Sequence, residues 1–356
     1  VLVLPRPFSN PVSYLRLVCA DIDPLITLRP VRSRLRPYLA NGRCGFNLLS
    51  EVEAYARRAR ELVPEEDFDL IHAHDWLAFP AGLVAKELSG KPLVVHVHAT
   101  EFDRTGGEGA NPEVYQIEQT GLRVADQIVA VSQWTKNLLI EKYGVSSDKV
   151  SVIHNGIEAN EYQPLPPALD ALKAAGAKIV LFVGRITLQK GPDYFVRVAK
   201  QVLQYEPNTY FVMAGNGDMR GAVMRLAIQL GVMKHFLFPG FLRGEELNQV
   251  YQAADLFILP SVSEPFGITP LEALANGAPV LVSKQSGVAE VLTHALKVDF
   301  WDLEEMANKI VSVLRHPPLQ TTLRSYGGRE VKKVSWRAAA SKCLAVYQEL
   351  LNPKTI

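Results

Sequence analysis

The chain has no long apolar run. Nowhere do about 18 or more apolar residues follow one another, so no stretch reads as a membrane-spanning helix. Cysteine is scarce: Cys19, Cys44 and Cys343 lie far apart and match neither a C-x-x-C pair nor a metal-ligand spacing. That argues against a disulfide framework and fits a reducing compartment, with a cytoplasmic location expected. Charge imbalance is missing too, because 38 Lys and Arg face 37 Asp and Glu for a net charge of +1. A near-neutral chain gives no general electrostatic reason to expect nucleic acid or an anionic membrane as the main partner. Only local, peripheral membrane contact is left open. Two phosphate-binding signatures are also absent. No G-x4-G-K-[ST] occurs, and in Gly215-Asn-Gly217-Asp-Met-Arg220 an arginine stands where a dinucleotide fingerprint needs its third glycine, which disfavours a dehydrogenase. The opening residues Val1-Leu-Val-Leu4 read as a strand, with neither an initiator methionine nor a secretory leader. A natural start upstream of Val1 is therefore expected.

What is present is a chain of 356 residues, 48% hydrophobic and 21% charged, long enough for two domains of ordinary size. Residues 6–45 hold the least regular pattern, with strands expected at Leu15–Cys19 and Leu25–Leu28. A local basic cluster, Arg29, Arg32, Arg34 and Arg36, reads as a solvated loop or a contact to an anionic acceptor. Leu48–Leu62 has apolar residues near 3.6 spacing and is expected to be a helix. From Asp69 short apolar strands alternate with amphipathic helices, one of them expected at Phe79–Leu88, up to Val150–Ile153. Residues 158–177, with Pro164, Pro166 and Pro167, read as a linker, after which the alternation restarts at Lys178–Val183. Helices alone close the chain, ending with Trp336–Leu351. Strand–helix alternation implies right-handed crossovers and mostly parallel sheets. The expected fold class is α/β, with two Rossmann-like, doubly wound domains facing a central cleft. The expected boundaries are 1–160 plus a returning helix at about 337–356, and 161–336. Ligands of such sheets bind at the carboxyl ends of the strands.

Loops at strand carboxyl ends carry the chemistry. Ser263-Glu264-Pro265-Phe266-Gly267-Ile268-Thr269-Pro270-Leu271-Glu272 follows the apolar strand at Leu256–Leu259 and runs into a helix stopped by Gly277. Free amides at such a helix start favour an anion such as phosphate. Glu264 and Glu272 are acceptors suited to sugar hydroxyls. Gly184-Arg185 and Lys190-Gly191 flank a second loop, whose glycine admits a close ligand and whose bases supply fixed positive charge. Alternation puts His96 and His98 on one face of their strand, with His98 at its end before Asp103-Arg104. His98 and Asp103 lack a third ligand of suitable spacing, and His72 and His74 lie on another strand, so no metal site is expected. Ser283–Gly287 closes the next strand and is expected on the same wall as Glu264. No Ser/His/Asp or Cys/His arrangement can be assembled from these loops. They describe a binding and electrostatic site more than a nucleophile site.

These residues resemble the retaining glycosyltransferases of family 4, with the two-lobed GT-B fold also seen in glycogen synthases. The resemblance runs from Asp69 onward. Its motifs are His74-Asp75-Trp76, His98 to Arg104, His154-Asn155-Gly156, Gly184-Arg185 with Lys190-Gly191, Glu264 with Glu272, and Lys284-Gln-Ser-Gly287. It implies that Glu272 holds ribose hydroxyls, that Glu264 contacts the transferred sugar, and that Arg185 and Lys190 neutralise the diphosphate. Amides of Gly267, Ile268 and Thr269 help them, with Gly184, Gly215 and Phe266 part of the same donor wall. Phe241 and Leu242 would lie by the base, His98 near the sugar, and Asp103 and Arg104 on the acceptor side. Such enzymes begin with a strand and a Gly-rich loop facing the diphosphate. Val1–Leu4 matches their second strand, so that first unit is expected to lie outside the residues present here. The implied activity is metal-independent transfer of a hexose, glucose-type favoured, from a nucleoside diphosphate sugar, UDP favoured, to a carbohydrate or other hydroxyl acceptor. No cofactor is expected beyond the nucleotide-sugar co-substrate. The rival readings are a sugar-nucleotide epimerase of similar shape and a nucleotide-sugar-binding regulator without turnover.

Overall fold

The computed structural model describes Leu2–Val3 and residues 48–107, 109–158 and 167–352. The strands expected at Leu15–Cys19 and Leu25–Leu28 and the Arg29–Arg36 cluster lie outside the described residues. The chain divides into two compact units. The first holds residues 1–101, 109–154 and 336–356, and the second residues 102–108 and 155–335.

The first unit is built on strands β1 (Leu2–Val3), β2 (Ile71–His74), β3 (Leu93–Val97), β4 (Gln127–Ala130) and β5 (Val150–Val152), in that spatial order. β1 pairs antiparallel with β2, and the remaining neighbours are parallel. β3 is buried at all five positions, as expected of a parallel strand covered on both faces. The closing helix, Trp336–Leu351, buries Ala340, Cys343, Val346 and Tyr347 against Leu70, Val94, Val129 and Ile153. Side chains alternate along a strand, so His72 and His74 share the face of Leu70, and His96 and His98 share the face of Val94. That parity decides where the histidines meet.

The second unit is built on β6 (Lys178–Val183), β7 (Thr209–Ala214), β8 (Phe236–Gly240), β9 (Leu256–Leu259), β10 (Val280–Ser283) and β11 (Leu296–Val298). The spatial order is β11-β10-β9-β6-β7-β8, with every pairing parallel. The chain starts at β6, winds outward to β8, then returns to lay β9 on the other side of β6. Winding direction therefore reverses between β6 and β9, and the crevice above that junction is where open α/β sheets hold ligands. Phe182, Phe195, Phe211, Met213 and Ile258 anchor the core beneath it.

Three expectations need correcting. The linker at 158–177 contains a helix, Pro167–Ala174, because proline is tolerated at a helix start. β11, only three residues long, adds a strand that the alternation does not predict, and the alternation expected to continue through Val288–Leu292 gives way there to a short 3-10 turn at Gly287–Glu290. The helix expected from Phe79 begins at Asp75.

Candidate functional site

Two loops rise from the switch point, one after β6 and one after β9. They are fastened to each other by backbone: the Val262 amide donates to the Gln189 carbonyl at 2.9 Å. Gly191 sits at φ 61°, and a Cβ there would lie 2.1 Å from the Pro260 carbonyl oxygen. Only glycine accommodates both the left-handed backbone and that approach. Gly215, at φ 143°, plays the same part toward β6, since a Cβ would lie 1.9 Å from the Gly184 carbonyl oxygen. Its amide donates to the Gly240 carbonyl at 2.7 Å. The glycine-rich turn after β7 is thus a packing device between strand ends.

This scaffold brings the candidate charges together. Lys190 donates a short hydrogen bond to Glu264 Oε2, and Ser261 Oγ donates to the same oxygen at 3.3 Å. The Glu264 side chain is 6% exposed and that of Lys190 17%, so the pair is nearly dry. The backbone of Glu264 is held as firmly, forming a parallel bridge with Ser286 and accepting from the Gly287 amide at 2.9 Å. The loop 283–287 therefore does flank Glu264. Arg185 is exposed and donates to Gln189 Oε1 at 3.3 Å.

Glu272 lies one turn into Thr269–Ala275, a helix of seven residues. So short a helix has a weak dipole, and anion attraction at this loop rests more on Arg185 and Lys190. The buried Tyr251 hydroxyl donates to Glu272 Oε2 at 2.7 Å. Burial first, and then the neighbouring Glu272 carboxylate, push the Tyr251 phenol well above its ordinary range, so it stays a donor. The Phe266 side chain is buried, and Gly267 takes φ 95°; Ile268 and Thr269 are half-buried. Phe241 is 60% exposed, with the Arg243 guanidinium 4.8 Å from its ring centroid, and Leu242 is half-buried beside it. Asp103 is wholly buried and accepts from Ser263 Oγ at 2.6 Å. Arg104 is half-buried.

In the first unit His98 does not stand alone. Its Nε2 shares a hydrogen bond with His74 Nδ1 at 2.9 Å, and its backbone amide donates to Asp75 Oδ1 at 2.7 Å. Asp75 itself sits at φ 55°, the one non-glycine among the described residues with positive φ. Backbone strain held at a strand end marks a position fixed by its surroundings. Burial pushes the His98 imidazole down, against the upward pull of Asp75. Burial, and then the adjacent imidazoles, hold His72 and His96 well below the usual histidine range. Sequence reasoning missed Tyr251, Ser261 and Gln189, and held Asp75 only as part of the His74-Asp75-Trp76 motif. Tyr251 escaped because its pairing with Glu272 is distant in sequence.

Comparison with known proteins decides the family. The profile described as Glycosyltransferase Family 4 matches residues 15–161, and the one described as Glycosyl transferases group 1 matches residues 170–330. An uncharacterised glycosyltransferase of Methanocaldococcus jannaschii is 32% identical over 297 residues, covering 80% of this chain and 76% of that relative. The chain is a family 4 glycosyltransferase. Its fold is that of the GT-B glycosyltransferases. Sucrose-phosphate synthase from Thermosynechococcus elongatus superposes with a TM-score of 0.73 at 23% identity, over 85% of this chain and 79% of that one. HepE of Anabaena, solved in complex with UDP and glucose, superposes with a TM-score of 0.69 at 22% identity, over 84% and 82%. Within this glycosyltransferase no helix among the described residues is long and apolar enough to cross a membrane.

Proposed function

We propose that this glycosyltransferase moves a glucose-type hexose from UDP-hexose to an acceptor hydroxyl, with retention of anomeric configuration and without a metal ion on the diphosphate. The observation that carries the reading is the meeting of Lys190 and Glu264 at the switch point, with Arg185 on the same loop as Lys190 and Glu272 on the helix beyond Glu264. One pair of residues is cationic and suits a diphosphate; the other is anionic and suits sugar hydroxyls. HepE, of like fold, binds UDP and glucose, which favours that donor.

In the reaction the bond from the anomeric carbon to the diphosphate oxygen breaks and the diphosphate leaves with the electron pair. The acceptor oxygen bonds to the anomeric carbon on the same face, and its proton passes to the departing phosphate oxygen. Charge grows on the diphosphate as the bond breaks, so Arg185 and Lys190 lower the barrier by meeting that charge. Amides of Gly267–Thr269 add to this, Glu272 holds the ribose hydroxyls, and Glu264 orients the hexose. Phe241 and Leu242 are assigned to the base. In the first unit His98 is the residue assigned to the hexose.

The test is nucleotide release from UDP-, ADP- and GDP-hexoses, with and without candidate acceptors, and the anomeric coupling constant of the product. Release from the UDP donor, accelerated by acceptor, and an α-linked product from an α-linked donor are expected. Arg185→Ala should lower kcat/KM by about 2–4 kcal/mol of transition-state stabilisation. Unchanged kcat/KM in that variant, or an inverted product, would remove this mechanism.

A further inference from the structure

Four of the eight histidines gather on β2, on β3 and just past the end of β3 in the first unit, and the proposed transfer reaction calls on only one of them. His72 and His74 are two residues apart on one strand and point the same way. His96 stands directly beside His74 in the parallel register. Ring centroids are separated by 4.4 Å for His72–His74, 5.0 Å for His74–His96 and 5.3 Å for His72–His96. Ring nitrogens of the three lie within 4.8 Å of one another.

Their hydrogen bonding is incomplete in a patterned way. His96 is buried at 7% exposure, and neither its Nδ1 nor its Nε2 has a hydrogen-bond partner. His72 is buried at 2% exposure; its Nδ1 meets the Tyr347 hydroxyl, and its Nε2 has no partner. His74 is the exposed member, and its Nδ1 is shared with His98. Leaving a buried polar nitrogen unpaired costs about 1–3 kcal/mol, and such groups are rare enough to need a reason. Two of the three rings have Nδ1 fixed by a second group while Nε2 is left over. That is how ligating histidines are held, with the second nitrogen engaged by an outer partner that sets the tautomer. The donor set is imidazole alone, which suits zinc, copper or nickel and disfavours magnesium and calcium.

We propose that His72, His74 and His96 form a binding site for a divalent transition-metal ion, zinc being the reference member. Zinc–nitrogen bonds of about 2.0–2.1 Å need the nitrogens closer than they stand, so the rings turn out of their stack to converge. His74, at the exposed end of the file, gives the ion its entry. His98 serves as the outer partner that holds His74. The ion clips β2 to β3 beneath the loop carrying His98. It has no part in neutralising the diphosphate, so the inference is independent of the proposed reaction.

The experiment titrates the chelator-treated full chain with cobalt(II), then displaces the cobalt with zinc(II). One equivalent of cobalt should produce the visible ligand-field bands of a tetrahedral centre, zinc should abolish them, and zinc should raise the Tm. His96→Leu should lose the bands. His74→Ala, at an exposed position where folding is not at stake, should weaken binding at least ~10-fold. His316→Ala, outside the cluster, should bind as the parent does. No saturable cobalt binding to natively folded protein would overturn the proposal. So would binding that is unchanged in both His74→Ala and His96→Leu, or lost in His316→Ala.

Discussion

Replacing Lys190 by methionine separates two duties of that side chain, one seen in the fold and one proposed for the reaction. In the fold, Lys190 is the counter-ion of Glu264, whose carboxylate is 6% exposed and otherwise accepts from Ser261 Oγ at 3.3 Å. Methionine keeps the apolar stem and removes the charge, which strands a nearly buried carboxylate on one weak hydrogen bond. Removing one partner of a buried pair costs about 3–5 kcal/mol. Lys190 is 17% exposed, so water can reach that side, and we expect about 2–3 kcal/mol. Adding Glu264→Gln removes the stranded charge, and the double variant should return to within about 1 kcal/mol of the parent. Catalysis should not follow stability. In the proposed reaction, loss of Lys190 leaves the developing diphosphate charge short of one of its two cationic partners in either background, and kcat/KM should stay down about 10²–10³-fold. Urea unfolding by circular dichroism of the parent, both single variants and the double variant gives the coupling, and donor turnover gives the rates. A Lys190→Met cost under about 0.5 kcal/mol would refute the burial argument. Recovery of turnover in the double variant would show that Lys190 serves only Glu264.

Two further outcomes follow from single hydrogen-bond networks. Tyr251→Phe removes the donor to Glu272 and should raise donor KM about 10-fold while kcat changes little, the signature of lost uniform binding; steady-state kinetics with the preferred donor reads it. Glu330 accepts from the amides of Thr293 and His294 at 3.1 and 3.0 Å and from His294 Nδ1 at 2.6 Å. Burial pushes its carboxyl up, and the His294 amide and ring with the Thr293 amide outweigh that, leaving it below the ordinary range. A depressed folded pKa stabilises above the unfolded carboxylate's range and is lost as pH falls through the folded value. Glu330→Gln should therefore cost about 1 kcal/mol at pH 7, and its denaturation curve should converge on the parent's as pH falls below the ordinary carboxylate range.

Legibility in the sequence tracked the range of the interaction concerned. Leu48–Leu62, Lys178–Val183, Leu256–Leu259 and Trp336–Leu351 occupy the spans their patterns predict, because an apolar stripe on a helix and a short unbroken apolar run in a strand covered on both faces are local patterns. β11 escaped because three residues offer too little alternation to read, and Pro167–Ala174 because nearby prolines look like breakers even when one of them starts a helix. The charged loops were legible as ends of apolar strands. Their partners were not. Lys190 and Glu264 are 74 residues apart, and Tyr251 and Glu272 21 apart, and only the strand order of the sheet brings β6 next to β9. The histidines show the same limit: alternation put His96 with His98, but the register that sets His74 beside His96 is a property of the sheet.

The partners of the two glutamates differ in kind, and that difference bears on the proposed reaction. Glu272 is held by Tyr251, a neutral donor that keeps its proton, so one carboxylate oxygen is fixed and the other is left to accept a hydroxyl without any change on binding. Glu264 is held by Lys190, a mobile point charge on a flexible stem. A diphosphate arriving beside Lys190 competes for that ammonium, and each share of it taken by phosphate weakens its hold on Glu264. The carboxylate then needs new donors, and hydroxyls of the attached hexose supply them. Before donor binds, the ion pair spares both groups the cost of standing unpaired in a nearly dry crevice. After donor binds, the same two groups are satisfied by opposite ends of one molecule. A nucleoside diphosphate lacking the sugar would take the lysine and leave Glu264 short of partners, so the arrangement favours the intact donor over the product. In the proposed reaction that preference acts in the direction turnover requires, because it weakens the hold on the nucleoside diphosphate once the hexose has left.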